Sequence, residues 1–217
     1  MKFFNKNYKD IISVENLLDA WLEFVKGKKS KKDIQLFSIN LMDNIFKLQA
    51  DLLDYTYKHG HYQEFNISDP KPRNIHKAAV PDRLLHHAIY RVLYPFYDRV
   101  FIADSFSCRI GRGIHKAIKR FETFARAISK NNTRTCWVLK CDIKKFFDSV
   151  DHQILMNILE KRIKCPNISW LLKEIIGSFN RTPIQLALFE RERNGALRAR
   201  HTNWQFNKPA FCQYLSQ

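Results

Sequence analysis

Long apolar runs are absent from this sequence, and so are cysteines at the spacing that metal sites require. No stretch approaches a membrane span, and the first six residues lack the apolar core of a secretory signal. The cysteines are odd in number and unpaired in spacing, which predicts reduced thiols in a cytoplasmic protein: Cys108, Cys136, Cys141, Cys165 and Cys212. Internal repeats and low-complexity tracts are also absent. From these absences we do not expect a membrane protein, a small disulfide-rich protein or a repeat protein.

Acidic residues are in short supply as well. Asp and Glu number 21 against 37 Lys and Arg, so the 217 residues carry a formal charge of +16. The pI is near 9.7, which indicates a polyanionic partner. Residues 181–217 hold few of the charges, so the excess does not come from the carboxyl-terminal tail. With 45% hydrophobic residues, the chain has enough apolar material for a folded core.

The first 61 residues are predicted to form a helical extension. Apolar residues recur at helical spacing from Tyr8 to Gly27 and from Lys32 to Tyr57, which predicts one helix in each range. The basic joint Gly27–Lys32 is open to two interpretations, a contact with phosphates or a solvated turn. His59–His61 is predicted to be a turn and not a metal site, because no third ligand is nearby in the sequence.

A short β-hairpin is predicted next, with strands at Tyr62–Ser68 and Arg73–Ala78. Prolines keep the joining segment Asp69–Pro72 extended, so Lys71 lies near the tip of the hairpin and Arg73 at its exit. Arginine offers a forked set of donors and lysine a compact charge, and both suit a phosphate ligand. The alternative is a solvated basic hairpin.

A basic loop with glycines lies between two further predicted helices. The first helix is expected from Asp82, as its cap, to about Tyr94, and the second from His115 to Ser129. The loop Cys108–Gly113 contains Arg109 and Arg112 beside glycines that let backbone approach a nucleic-acid strand. The two arginines are therefore candidates for phosphate contacts.

The segment Cys136–His152 carries the clearest chemical signal. Its first part, Cys136–Cys141, is rich in β-forming residues and predicts a buried strand. That strand would deliver Asp142 to its carboxyl end, where a carboxylate can bind Mg²⁺ in a cleft. Ser149, or the aspartate before it, is expected to cap a helix from Val150 to about Arg162. On these residues alone, an aspartate at a strand end more often caps or turns the chain than it catalyses.

Three segments of the chain correspond to successive motifs of one enzyme family. They are Lys71-Pro-Arg-Asn-Ile-His with Asp82-Arg-Leu-Leu-His-His-Ala-Ile, then Asp104-Ser-Phe-Ser-Cys-Arg-Ile-Gly-Arg-Gly-Ile-His-Lys-Ala, then Asp142-Ile-Lys-Lys-Phe-Phe-Asp-Ser-Val-Asp-His. They resemble the first and second fingers motifs and the first catalytic motif of reverse transcriptases from retrons, group II introns and diversity-generating retroelements. The resemblance covers about Tyr62–Ile163. It implies an α+β fold that is rich in helices and incomplete: the fingers and partial palm of a right-hand polymerase, with a short hairpin and one palm strand.

The resemblance also implies a chemistry, which is deoxynucleotide transfer from triphosphates to a primer on an RNA template with two Mg²⁺ ions. Asp142 would bridge the two metals, and the main-chain carbonyl of Ile143 would be a further ligand. Phe147, with Phe146 as the alternative, would exclude a 2′-hydroxyl and so select deoxynucleotides. The family's triphosphate contacts fall on the two basic residues of the hairpin: Lys71 and Arg73.

One motif of the family has no counterpart in this sequence. The other catalytic carboxylates come from a Tyr-x-Asp-Asp hairpin, and no Asp follows Asp151 here. One carboxylate does not hold two Mg²⁺ ions, and the thumb is missing too, so the chain is expected to be truncated and inactive alone. The alternative from another functional class is a basic nucleic-acid-binding module without catalysis. A Tyr-x-Asp-Asp segment farther along the gene would separate the two.

The segment 181–217 is predicted to be a frameshifted, poorly ordered tail. Codons that encode Thr202 to Ser216, read one base later, permit Pro-Ile-Gly-Asn-Leu-Thr-Ser-Gln-Leu-Phe-Val-Asn-Ile-Tyr-Leu, which resembles the family's template-contacting motif. Trp204 has one codon and, before any Gln205 codon, yields glycine in the shifted frame, whereas other steps depend on synonymous choices. The alternative is an idiosyncratic basic tail.

The chain as a whole is thus predicted to have three parts: a helical extension at 1–61, the fingers and upper palm at 62–180, and the tail at 181–217.

Overall fold

A computed structural model of the protein describes residues 2–68, 72–143, 146 and 150–179. The described residues fall into two compact units, the first of which ends at Cys141 and the second of which begins at Asp142. The first unit contains helices and one two-stranded antiparallel sheet, and the second contains a pair of helices. The helix-rich composition with a small sheet agrees with the expected part of an α+β fold.

Four helices open the first unit: α1 Tyr8–Ile12, α2 Val14–Phe24, α3 Lys32–Ile39 and α4 Leu41–Leu53. Ser13 separates α1 from α2, and its hydroxyl accepts a hydrogen bond of 3.2 Å from the Asn16 N–H. Asn40, at φ −117° and ψ 46°, separates α3 from α4. Each of the two ranges predicted to form one helix therefore contains two helices. A single non-helical residue interrupts the hydrogen bonds of a helix and leaves the spacing of apolar residues almost unchanged, so periodicity does not reveal the break.

The hairpin and two longer helices complete the first unit: β1 Gln63–Ser68, β2 Pro72–Lys77, α5 Val80–Tyr97 and α6 Ile114–Ile128. The strands pair with Gln63 opposite Lys77 and Ser68 opposite Pro72. The predicted hairpin is confirmed, and α6 lies within one residue of its predicted range. Helix α5 continues through Pro95 and does not end before it.

The core of the first unit lies between α2 and α5. Leu17 and Phe24 of α2 and Leu84 and Leu85 of α5 are 0% exposed. Burial of each such side chain contributes roughly 1.5–3 kcal/mol, so this helix pair carries much of the stability of the unit. The Asn16 side-chain amide adds hydrogen bonds to the Ile11 carbonyl of α1 and the Ala88 carbonyl of α5, at 2.7 and 3.1 Å.

The buried strand predicted at Cys136–Cys141 is not present. Residues 135–143 have no regular structure, and Trp137, Val138 and Leu139 are 92, 61 and 89% exposed. A strand persists only where a neighbour satisfies its backbone groups, and the sheet within the described residues consists of β1 and β2 alone. The prediction is wrong because local β-propensity does not supply the partner strand.

The second unit contains α7 His152–Glu160 and α8 Pro166–Ser178. Asp151 caps α7, since its carboxylate accepts a hydrogen bond of 2.9 Å from the Ile154 N–H. The predicted cap at Ser149 or its neighbour is therefore wrong, because the helix begins two residues later than expected. Among the described residues of this unit, four side chains are buried to 0–4% exposure and form its core: Met156, Ile163, Ile168 and Leu171.

Among the described cysteines, one departs from the prediction. Cys136, Cys141 and Cys165 are free, but Cys108 is disulfide-bonded. Sequence spacing does not report the distance between two sulfurs in a folded chain, so the thiol prediction fails there. No helix in the described ranges has the length and apolar character needed to cross a membrane.

Candidate functional site

The base of the hairpin is fixed on the β1 side by Asp82. Asp82 is 2% exposed and lies in the first turn of α5, whose cap is Ala79, so the predicted capping role of Asp82 is wrong. Its carboxylate accepts hydrogen bonds from the Tyr57 hydroxyl at 2.7 Å and the Gly60 N–H at 3.2 Å. A Cβ atom at Gly60 would lie 2.9 Å from Asp82 Oδ2. The segment that leads into β1 is thereby held tightly against α5.

The β2 side of the base is fixed by Asp33 of α3. Its carboxylate pairs with Lys77 Nζ at 2.7 Å and Arg83 Nη2 at 2.5 Å. Burial acts to raise the pKa of Asp33, but the hydrogen bonds from Lys77 and Arg83 outweigh it and hold the pKa below its usual value. The Arg83 guanidinium also lies over the Phe24 ring at 5.2 Å. Both strands of the hairpin are therefore anchored to the helical core.

The hairpin projects from this base into solvent. Every residue of β1 is exposed, including Phe65 at 42% and Ile67 at 38%. Arg73 lies in β2 opposite Ile67. Lys71 and the side chain of Arg73 lie outside the described residues, so the triphosphate contacts predicted for both stay predictions.

A buried histidine pair lies beside Asp82. His59 Nε2 is 3.3 Å from His86 Nε2, and the two rings stack with centroids 5.2 Å apart. The Tyr62 ring also stacks on His59, with centroids 4.9 Å apart. Burial, followed by the neighbouring charges of His59, His87 and Arg83, lowers the pKa of His86 to about 3. Within the described ranges, no group of three or more His, Cys, Asp or Glu side chains could hold a metal ion.

The histidine pair predicts a loss of stability in mild acid. The unfolded chain takes up a proton at His86 near pH 6.5 and the folded chain only near pH 3, so the free energy of unfolding falls as the pH drops through this window. At 1.36 kcal/mol per pH unit, we expect a loss of about 2 kcal/mol between pH 7 and pH 5. Urea unfolding at the two pH values measures it. His86→Gln should reduce the dependence and the exposed control His115→Gln should not; equal slopes in both variants would contradict the assignment.

Arg109 holds together the loop between α5 and α6. Its guanidinium donates to Asp98 Oδ1 at 2.7 Å, the Asp98 carbonyl at 2.8 Å, and the Ile102 and Ser105 carbonyls at 3.1 Å each. The hydrogen bond from Arg109 holds the pKa of the Asp98 carboxyl below its usual value. Only 9% of Arg109 is exposed, and four of its five donors are used inside the protein. The phosphate contact predicted for Arg109 stays a prediction, and the structure assigns this side chain to the loop.

Arg112 lies at the open side of the same loop. It is half-buried and donates a hydrogen bond of 2.6 Å to the Ala103 carbonyl. Gly111 precedes it at φ +72°, a left-handed conformation that glycine adopts without strain, and the chain turns there toward α6. The phosphate contact predicted for Arg112 also stays a prediction, with a geometry that leaves part of the guanidinium accessible.

Asp142 and Ile143 lie at the start of the second unit. Both are exposed and neither is in regular structure. A carboxylate and a main-chain carbonyl are hard oxygen donors of the kind that Mg²⁺ prefers. The chemistry of the two residues therefore fits part of the ligand set of a Mg²⁺ ion. Phe146 is 46% exposed, whereas Phe147 lies outside the described residues. The metal and nucleotide roles of these residues stay predictions.

The first unit contains an exposed hairpin on a fixed base and a basic glycine loop, and the second unit begins with an exposed aspartate. The family model described as "Reverse transcriptase (RNA-dependent DNA polymerase)" matches residues 65–202, which is more than half of the chain. The chain therefore belongs to the reverse transcriptase family. The match ends inside the segment predicted to be a tail, which lies outside the described residues.

Three curated relatives are similar to this chain. Protein YkfC of Escherichia coli K12 is 27% identical over 63% of this chain and 36% of its own length. Nuclear intron maturase 1 of Arabidopsis thaliana is 30% identical over 49% of this chain and 14% of its own length. The group II intron-encoded protein LtrA of Lactococcus lactis is 26% identical over 62% of this chain and 22% of its own length. The chain thus spans between 14 and 36% of these relatives and corresponds to the amino-terminal region of an intron- or retron-type enzyme.

Proposed function

We propose that this chain supplies the fingers and the first catalytic carboxylate of an RNA-directed DNA polymerase that works by two-metal nucleotidyl transfer. The observation that carries the proposal is the family match over residues 65–202, which contains the motif beginning at Asp142. The relatives named as an intron maturase and a group II intron-encoded protein support an RNA template. A single strand of RNA and a primer are the proposed partners.

Asp142 and the carbonyl of Ile143 would hold Mg²⁺ together with carboxylates from the rest of the polymerase. When bound, Mg²⁺ activates a 3′-hydroxyl and neutralises the charge that develops on pyrophosphate. Lys71 and Arg73 bind the triphosphate, since a compact ammonium charge and a forked guanidinium both suit phosphate oxygens. Phe147 contacts the sugar and excludes a 2′-hydroxyl, which sets the preference for deoxynucleotides.

A nucleic-acid-binding module without catalysis is the second candidate function. It is favoured by the formal charge of +16, because electrostatic attachment to a phosphate backbone requires no metal site. This candidate predicts binding that weakens steeply with salt and shows little sequence preference.

Primer extension separates the two candidates. The complete polymerase that contains this chain is incubated with a DNA primer on an RNA template, deoxynucleoside triphosphates and Mg²⁺. We expect incorporation that chelation of Mg²⁺ abolishes. Tight RNA binding without any extension would contradict the polymerase and support the binding module.

A further inference from the structure

We propose that Asp33 of α3 is a positioning residue for nucleotide binding, because it holds the base of β2 from a helix outside the polymerase motifs. Asp33 precedes the segment that the family model matches, which begins at residue 65, whereas its partners Lys77 and Arg83 lie inside that segment. The inference rests on the proposed function, since Asp33 acts through the triphosphate contact proposed for Arg73. It gives helix α3 a part in nucleotide binding.

The hairpin depends on a few polar contacts for its direction. Within the described ranges, β1 and β2 pair with each other along their length, and neither strand packs along a helix. Every residue of β1 is exposed, so burial in a core does not hold this strand. The Asp82 contact with Gly60 fixes the approach to β1, and the ion pair of Asp33 with Lys77 fixes the end of β2. Loss of the second anchor therefore gives β2 more freedom to shift.

The Asp33 carboxylate holds two cations at one oxygen atom. Lys77 Nζ and Arg83 Nη2 both bond to Oδ2, at 2.7 and 2.5 Å. The Arg83 side chain is 8% exposed and lies over the Phe24 ring at 5.2 Å, and Lys28 Nζ lies over the same ring at 4.8 Å. Without the carboxylate, these like charges repel one another at short range. The less buried partner, Lys77, then moves away and takes the end of β2 with it.

A shift at Lys77 is transmitted along the strand to Arg73. Arg73 lies four residues before Lys77 in β2, opposite Ile67. At about 3.3 Å per residue the two residues are roughly 13 Å apart along the strand, so a rotation of about 10° at the base displaces the backbone at Arg73 by roughly 2 Å. Misplacement of a positioning group by about 1 Å can already cost about 100-fold in rate. Asp33 therefore influences the nucleotide without contacting it.

The test measures nucleotide affinity and turnover separately, by steady-state primer extension with the complete polymerase. Asp33→Asn removes the charge at nearly constant size, and Lys77→Gln removes the charge of its partner. Each should raise the KM for a deoxynucleoside triphosphate about tenfold and leave kcat unchanged, because the affected contact is made to the bound triphosphate. Asp33→Glu restores the charge and should recover most of the affinity. Asp54→Asn, an exposed position at the end of α4, is the control and should change neither constant.

A double-mutant cycle shows whether Asp33 acts through the hairpin. In the Arg73→Gln protein, which lacks the proposed contact, Asp33→Asn should raise the KM by less than about twofold. A role in stability alone would instead lower the unfolding midpoint in urea and leave the KM of the folded protein unchanged. That result, or an equal effect on the KM in both backgrounds, would overturn the inference.

Binding without incorporation separates the inference from the proposed function. A labelled deoxynucleoside triphosphate is bound beside a primer that ends in a dideoxynucleotide, so no bond forms. Intact primer extension with equal affinities for the Asp33→Asn and Asp54→Asn proteins would overturn the inference alone. Weaker binding by the Asp33→Asn protein, without extension of an ordinary primer by the unsubstituted protein, would overturn the polymerase alone. Absence of triphosphate binding by the unsubstituted protein would overturn both.

Discussion

Asp142→Asn in the complete polymerase is expected to reduce the rate of deoxynucleotide incorporation by about a thousandfold or more. Asparagine keeps the size of the side chain and removes the charge that would bridge two Mg²⁺ ions. Metal-borne charge stabilisation contributes several kcal/mol to such a transition state, and each 1.36 kcal/mol is tenfold in rate. Single-turnover primer extension measures the effect. Asp142 is exposed, so the substitution should leave the fold intact.

Asp151→Asn is the matched control for this prediction. It removes the same charge from the same motif, but Asp151 caps α7 through the Ile154 N–H. Asparagine caps a helix about as well as aspartate, so stability and primer extension should both be retained. Undiminished extension by the Asp142→Asn protein, or an equal loss in the two variants, would contradict the assignment of Asp142.

Asp82→Ala is expected to lower the free energy of unfolding by about 3 kcal/mol. The substitution leaves the Tyr57 hydroxyl and the Gly60 N–H without the acceptor that they now share in a buried position. A buried donor that loses its partner costs about 1–3 kcal/mol. Urea unfolding at neutral pH measures the change, with the exposed Asp54→Ala as the control of equal charge.

A double-mutant cycle isolates the Tyr57–Asp82 contact. Tyr57→Phe alone should cost about 1 kcal/mol, and it should cost much less in the Asp82→Ala protein, where the hydroxyl has no acceptor at Asp82. Additive effects of the two substitutions, or an Asp82→Ala protein as stable as Asp54→Ala, would show that this contact does not anchor the hairpin.

The elements that the sequence predicts well are those that local chemistry determines. The hairpin follows from alternating residues around two prolines, and α6 follows from helical spacing after a glycine. The reverse transcriptase motifs identify the family for the same reason, because each is a short run whose order is visible along the chain. The same motifs make Asp142 a candidate metal ligand, but they do not predict its surroundings.

The elements that the sequence does not predict depend on distant partners. Nothing near Asp82 in the chain indicates that Tyr57 and Gly60 bond to it, and nothing near Arg109 indicates that Asp98 and two carbonyls occupy its guanidinium. Both side chains carry charge, which favours a surface interpretation until the partners are known. The predicted strand at Cys136–Cys141 fails by the same logic, since a strand requires a neighbour that the local pattern does not provide.

The most direct test of the central claim is to locate the metal. Iron(II), bound in place of Mg²⁺ in the complete polymerase, generates hydroxyl radicals with ascorbate and peroxide and cleaves the backbone beside its ligands. We expect fragments that end at Asp142 and Ile143, that excess Mg²⁺ suppresses, and that the Asp142→Asn protein does not produce. Identical fragments from the wild-type and Asp142→Asn proteins, or cleavage only elsewhere in the chain, would contradict a metal site at Asp142.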